Sequence, residues 1–256
     1  MDRVVSFWRF DNASGTPDPP PAPAIAAPTA FYSFDTDGTD SSGNGLNLTL
    51  TGSPTFTAGK ISNAMNLTGT NYATVADTAL LRAGASFSVA GWANPNAAVN
   101  NYVFAAKRDS NSTIEFQIMS NTGGVSQNIN LFVSYLGSNG SNNYTSGDTI
   151  TFVSSSPSWQ FWVFIYDGTK PAANRGGCAA GGSYPAFSSG TVNGTPGNPY
   201  NGTSHFCVGE INAGAIKSIG SYDSLAYWHN YALTSAEVTA LYNAGAGKVW
   251  NGSTWV

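Results

Sequence analysis

Few side chains in this sequence could do acid, base or metal chemistry, and their spacing limits what they can do. Glutamate occurs only at Glu115, Glu210 and Glu237, and histidine only at His205 and His229. Retaining glycoside hydrolysis needs two carboxyl groups about 5 Å apart, usually close together on one strand. Thr113-Ile114-Glu115-Phe116-Gln117 puts Glu115 and Gln117 on one strand face, but no second carboxylate follows at i+2 or i+4. Glu237 is explained as a helix cap. The histidines have no H-x-x-x-H spacing, and no G-x-S-x-G elbow offers a nucleophilic serine. His205, beside Phe206, reads as a packed or rim histidine. No glycine-rich phosphate loop opens a helix. The expectation is a protein that is not an enzyme.

Two binding chemistries remain. Asp35, Asp37 and Asp40 lie in one Gly/Ser-rich loop, and Ca²⁺ takes several oxygens from carboxylates and carbonyls; an Asx-turn at Asp40 is the competing reading. Sugars stack on aromatic faces and hydrogen-bond to polar loop groups. Tyr135, Asn142, Tyr144, Tyr184 and Tyr200 sit in loops suited to that, each tyrosine having a second reading as a half-buried loop anchor. Trp92, Trp159 and Trp162 fall in strands and read as core. Cys178, in a Gly-rich loop, and Cys207, in a strand-like run, allow one disulfide or two free thiols.

The elements that must position these residues are mostly strands. Ser86 to Ala93, Asn101 to Lys107, Thr113 to Met119, Ile129 to Tyr135, Thr149 to Val153, Trp159 to Tyr166 and Ser204 to Gly209 alternate or run apolar. Turn clusters such as Asn94-Pro95-Asn96 and Asp167-Gly168 separate them. This pattern predicts an all-β, antiparallel two-sheet sandwich. One short C-terminal helix is expected, with Thr234/Glu237 as capping box, Leu233 and Val238 as staple, and Gly245 as stop. Ahead of the sandwich, six of the thirteen prolines fall between Ser14 and Ala30, a semi-rigid polyproline spacer. The sequence thus divides into an arm (1–13), a linker (14–30) and a body (31–256). Phe7, Trp8 and Phe10 give the arm more apolar area than a free tail leaves in water. It is expected to dock on a partner, or to fold back on its own domain.

Charged residues make up 9% of the 256 positions, aromatic residues 13%, and the formal net charge is −4. Scattered basic residues argue against nucleic-acid binding. Apolar runs of strand length argue against membrane insertion. The first ten residues lack the apolar stretch of a Sec signal peptide.

Several blocks resemble the laminin-G-like, concanavalin A-like jelly-roll domains. They are Phe31-Tyr32-Ser33-Phe34-Asp35, Asp40-Ser41-Ser42-Gly43-Asn44-Gly45, Gly59-Lys60-Ile61-Ser62-Asn63-Ala64 and Asn71-Tyr72-Ala73-Thr74-Val75 at one end. At the other, Ser224 to Val238 and Leu241-Tyr242-Asn243-Ala244-Gly245 are similar to the last strand and closing helix. The resemblance implies a jelly roll over Phe31 to Gly247 and a structural calcium whose motif positions are Asp40 and Asp223. Lys170 to Thr203 departs from it as a long Gly/Pro/Asn-rich insertion. The fold hosts lectins, adhesion modules and glycosidases alike, so it does not fix function. The organisation suggests a virion-surface protein of a bacterial virus, anchored on a capsid or tail protein by its arm. It would bind host-surface polysaccharide weakly, with homo-oligomers compatible and no cofactor beyond calcium. A free bacterial carbohydrate-binding module and a capsid cement protein stay open as alternatives.

Overall fold

The run from Phe161 to Tyr166 has no polar alternation because both of its faces are covered. Trp162, Phe164 and Tyr166 enter one core, while Phe161, Val163 and Ile165 enter a second. In a computed structural model, residues 24–95, 102–120, 126–137, 142–153, 158–211 and 213–256 are described. The arm with Phe7, Trp8 and Phe10, and the linker up to Pro23, lie outside the described residues.

Among these residues, one seven-stranded sheet runs Gly176–Ala180 (β13), Gln160–Asp167 (β12), Ser86–Pro95 (β6), Ile219–His229 (β18), Asn63–Thr68 (β4) and Thr55–Ala58 (β3). Ala30–Tyr32 (β1) also pairs with β18. A nine-stranded sheet runs Thr191–Asn193 (β14), Asn143–Thr145 (β10), Ser126–Ser134 (β9), Ile114–Ser120 (β8), Val103–Arg108 (β7), Phe206–Val208 (β15), Tyr72–Val75 (β5) and Thr49–Thr51 (β2). Ile150–Val153 (β11) pairs with β9, and Glu210–Ile211 (β16) forms a small hairpin with Ile216–Lys217 (β17). All pairings are antiparallel. The all-β two-sheet sandwich is therefore present as expected.

The main core lies between the sheets. Phe87, Val89, Trp162, Phe164 and Tyr227 from the first meet Phe104, Phe116, Ile118, Leu131 and Phe206 from the second. The second core covers the outer face of the first sheet. There Ala90, Trp92 and Trp228 lie under the helix α1 (Ser235–Tyr242), Trp250 and the entering segment at Ile25 and Ala26. The capping box forms: Thr234 Oγ1 accepts from the Glu237 N–H at 3.3 Å, and Glu237 Oε2 accepts from the Thr234 N–H at 2.8 Å. Val238 and Leu241 are buried beneath it, each contributing about 1.5–3 kcal/mol by leaving water. Asn243, at φ 49°, ends the helix ahead of the expected Gly245.

A bulge on β18 carries three residue steps, Asp223 to Ala226, against two on β6. It brings the chain close to Gly91, where an added Cβ would lie 3.0 Å from Leu225 Cα. The insertion from Lys170 to Thr203 is not loop throughout, since it supplies β13 and β14. Cys178 accordingly lies in a strand, and both cysteines are free and buried. Burial pushes the Cys178 thiol up to about 12 and the Cys207 thiol upward as well.

Candidate functional site

Glu115 is not a cleft carboxylate. On β8, Ile114 and Phe116 pair with Arg108 and Lys107, which are adjacent on β7, so Glu115 is an extra residue without a partner. The bulge turns it away from the neighbours of Gln117, which contacts Arg108. Glu115 Oε1 instead meets Lys107 Nζ at 2.7 Å, and both side chains are fully buried. The same ammonium reaches Asp77 at 2.6 Å and donates to the Ser204 carbonyl at 2.6 Å. Asp77 closes the chain on Arg82 at 2.7 Å. Burial raises the Glu115 carboxyl to about 7 against the opposing pull of Lys107. The four charges form a structural network at one end of the sandwich.

The donor set at Asp40 does not suit calcium. Its Oδ1 accepts from the N–H groups of Phe31 (3.0 Å) and Ser42 (2.9 Å). Its Oδ2 accepts from Ser42 Oγ (2.8 Å) and the Leu46 N–H (2.9 Å). Four donors fill the lone-pair directions of this carboxylate, so the Asx-turn reading holds. Asp223 accepts from the Ile61 N–H at 2.7 Å and from Ser224 Oγ at 2.8 Å, and burial raises it to about 6. Among the described residues no group of three or more His, Cys, Asp or Glu could hold a metal.

The five residues singled out for sugar contact do not make one platform. Tyr144 is fully buried and donates to the Gly176 carbonyl at 2.8 Å. Its ring fits because positions 176 and 190 are glycine, where an added Cβ would come within 2.5 and 2.7 Å of it. Tyr135 is also buried, accepting from the Tyr166 hydroxyl at 3.3 Å. Asn142, at φ 54°, holds the Thr195 N–H at 2.7 Å. The Tyr200 ring is half-buried against Gly137 and Gly202. Tyr184, in the other layer, donates to the Leu233 carbonyl at 3.1 Å. The two buried tyrosines offer no face to a sugar, which corrects the expectation for them; the other three tie their loops to distant segments of the chain.

Partly exposed aromatic surface, from Trp159 and Tyr242, lies elsewhere. A groove of about 310 Å³ on the outer side of the first sheet is lined by Trp92, Trp159, Gln160, Phe161, Ala180, Gly181 and Tyr242. The register of β6 and β12 pairs Trp92 with Phe161 on one face, their rings 5.5 Å apart. Tyr242, at the end of α1, stacks on Trp92 at 5.9 Å. Trp159, immediately before β12, is half-buried at the groove. Gln160 Oε1 accepts from Trp162 Nε1 at 3.0 Å, which ties its side chain to the inter-sheet side of β12. Lys60 Nζ stands 4.7 Å from the centre of the Trp92 ring. With Trp92 covered by Tyr242 and Lys60, the aromatic surface left for a sugar ring to stack on is that of Trp159 and Tyr242. The core reading holds for Trp92, which is 3% exposed, and in part for Trp159, which packs against the outer core yet stays half-buried at the groove.

A second hollow, of about 340 Å³, is lined by Tyr72, Thr74, Asp109, His205, Glu210 and Ala213. His205 is at the rim, its Nδ1 3.1 Å from Asp109. The face of Tyr72 is already taken by Lys217 Nζ, 5.7 Å from the ring centre.

No protein-family model matches the sequence, and no curated protein matches it. Solved structures do share its architecture. Domain 4 of AbnA, a GH43 extracellular arabinanase from Geobacillus stearothermophilus solved in complex with arabinotriose, aligns with TM-score 0.59 and 23% identity over 84% of this chain and 98% of that one. The receptor binding domain of botulinum neurotoxin mosaic serotype C/D aligns with TM-score 0.57 and 10% identity over 85% of this chain and 50% of that one. The binding domain of Paraclostridial Mosquitocidal Protein 1 aligns with TM-score 0.54 and 15% identity, over 81% and 49%. The fold is a jelly-roll β-sandwich. The chain spans about half the length of the two toxin domains. Among the described residues no helix is long and apolar enough to cross a membrane.

Proposed function

We propose that the chain is a carbohydrate-binding sandwich without catalytic activity, and that Trp159 and its neighbours form the sugar-binding groove. The observation that carries this reading is the half-buried Trp159 in a groove of aromatic rings on the outer side of the first sheet. The sugar complex of the arabinanase domain, which has the same fold, supports it. The absence of catalysis is supported by the three glutamates. Glu115 is tied to Lys107, Glu210 is buried and accepts from the Gly214 N–H at 2.5 Å, and Glu237 caps the helix.

The proposed setting is a virion surface. The aromatic arm anchors the chain on a capsid or tail protein, and the sandwich makes weak, multivalent contact with host-surface polysaccharide. A glycan array with the full chain tests the groove. Trp159→Ala is expected to lower binding about tenfold, the equivalent of one stacking contact near 1.4 kcal/mol. Full retention of binding by the variant, or no binding by the native chain, would remove the reading. Replacing Phe7, Trp8 and Phe10 together by serine is expected to abolish incorporation into particles while leaving the Tm of the sandwich unchanged.

A further inference from the structure

The Lys107 ammonium is held between two carboxyl groups in a nearly closed site. Its side chain and that of Glu115 are fully buried, while that of Asp77 is 13% exposed. Lys107 Nζ lies 2.6 Å from Asp77 Oδ1 and 2.7 Å from Glu115 Oε1. The second oxygen of each carboxyl is fixed from behind: Asp77 Oδ2 accepts from Arg82 at 2.7 Å, and Glu115 Oε2 accepts from the Ala83 N–H at 3.3 Å. Each group therefore presents its first oxygen to the same nitrogen. Glu115 Oε1 nonetheless has no hydrogen-bond partner, so it stands close to the ammonium but out of line with it. Buried oxygens are rarely left unmatched.

We propose that Lys107 and Asp77 condense to an intramolecular isopeptide bond, with Glu115 relaying the protons. The ion pairs are then the state from which the bond forms, and the chain acts once, on itself. Glu115 takes a proton from the ammonium, and the neutral amine, now a nucleophile, adds to Asp77 Cγ. The Nζ–Cγ bond forms and the Cγ–Oδ1 bond breaks. Two of the three ammonium protons leave with Oδ1 as water, the third stays on the amide nitrogen, and Glu115 ends as it began. No oxidant, reductant or cofactor takes part. Arg82 faces Oδ2, the oxygen on which charge collects when nitrogen adds. The Ser204 carbonyl, 2.6 Å from Nζ, is in place to accept from the amide N–H. Burial acts to raise the Asp77 carboxyl, but hydrogen bonds from Arg82 and Lys107 hold it below the ordinary range, so its leaving oxygen must be given protons. Glu115, held near 7 by burial, suits that exchange at neutral pH. Fixed contact replaces a chance encounter, at an effective molarity of about 10⁵ M or more, and a neutral amide replaces two charges whose burial is unfavourable. Asp77 follows β5 by two residues and Lys107 lies on β7, with β15 between those strands. The bond thus staples the nine-stranded sheet across β15, and it does not depend on sugar binding.

The intact mass of the full chain, folded and then unfolded in guanidinium, tests it. The native chain is expected to be one water, about 18 Da, lighter than its sequence. Fragment spectra are expected to place the loss between Asp77 and Lys107, with no backbone breaks seen between those two positions. Asp77→Ala and Glu115→Gln are each expected at the full mass of their own sequences. A native chain at full sequence mass overturns the proposal, and this result needs no variant to fold. So does a water loss that fragment spectra place elsewhere, or one that persists in Asp77→Ala. A loss that persists in Glu115→Gln overturns the proton relay.

Discussion

Replacing Lys107 by methionine tests the electrostatics of the sandwich most sharply. The ammonium is fully buried and is shared by Glu115, Asp77 and the Ser204 carbonyl. Its removal leaves Asp77 with Arg82 but leaves Glu115 buried without a countercharge. Breaking a buried pair from one side costs about 3–5 kcal/mol. In a domain of this size that lowers Tm by about 6–20 °C. The cost depends on pH. Burial already holds the Glu115 carboxyl near 7, above its ordinary 4.5. A carboxyl raised on folding contributes stability that is fully present below about 4.5 and is lost as pH rises through about 7, an effect of about 3 kcal/mol. At pH 5 Glu115 is largely protonated, so Lys107→Met costs less there than at pH 8. Adding Glu115→Gln to the methionine variant recovers most of the loss at pH 8. Calorimetry at the two pH values reads all three statements. A cost below about 1 kcal/mol at pH 8, or equal costs at both pH values, would refute the buried-pair account.

Two further outcomes are expected. Glu237→Gln weakens the helix cap and lowers stability by about 1–2 kcal/mol in urea unfolding. Burial acts to raise this carboxyl, but hydrogen bonds from Thr234, Ala26 and Tyr231 outweigh it and hold it below the usual range. Its contribution is therefore present above the unfolded carboxylate value and fades as pH falls through the depressed folded one. Calcium and chelator are expected to leave Tm unchanged, because the Asp40 oxygens already accept four donors; a rise in Tm with added calcium would show binding to the folded state.

What could be read from the sequence was local and periodic. The Thr234/Glu237 box needed only its own spacing and formed as expected, and the apolar strands led directly to the two-sheet architecture. The site was harder because it depends on what lies across a sheet. Tyr144 looked like a loop residue until Gly176 and Gly190, more than thirty positions on, opened space for its ring. Glu115 and Gln117 looked co-facial because period-two reasoning assumes no bulge, and β8 carries one at Glu115. Trp92 is core, as its strand implied, whereas the partial exposure of Trp159 was hidden because nothing in the sequence says that the outer face of β12 is only partly covered by the helix.

The carbonyl of Ala26, held by the indoles of Trp228 and Trp255, has a mechanical consequence. A pull travelling along the chain from its N-terminal side meets this double latch before it reaches the β1 pairing on β18. One anchor comes from the first sheet and the other from the C-terminal hairpin. Load at the tether is thereby shared between two separate parts of the body, and yielding should begin by unlatching a short segment while the sandwich stays whole.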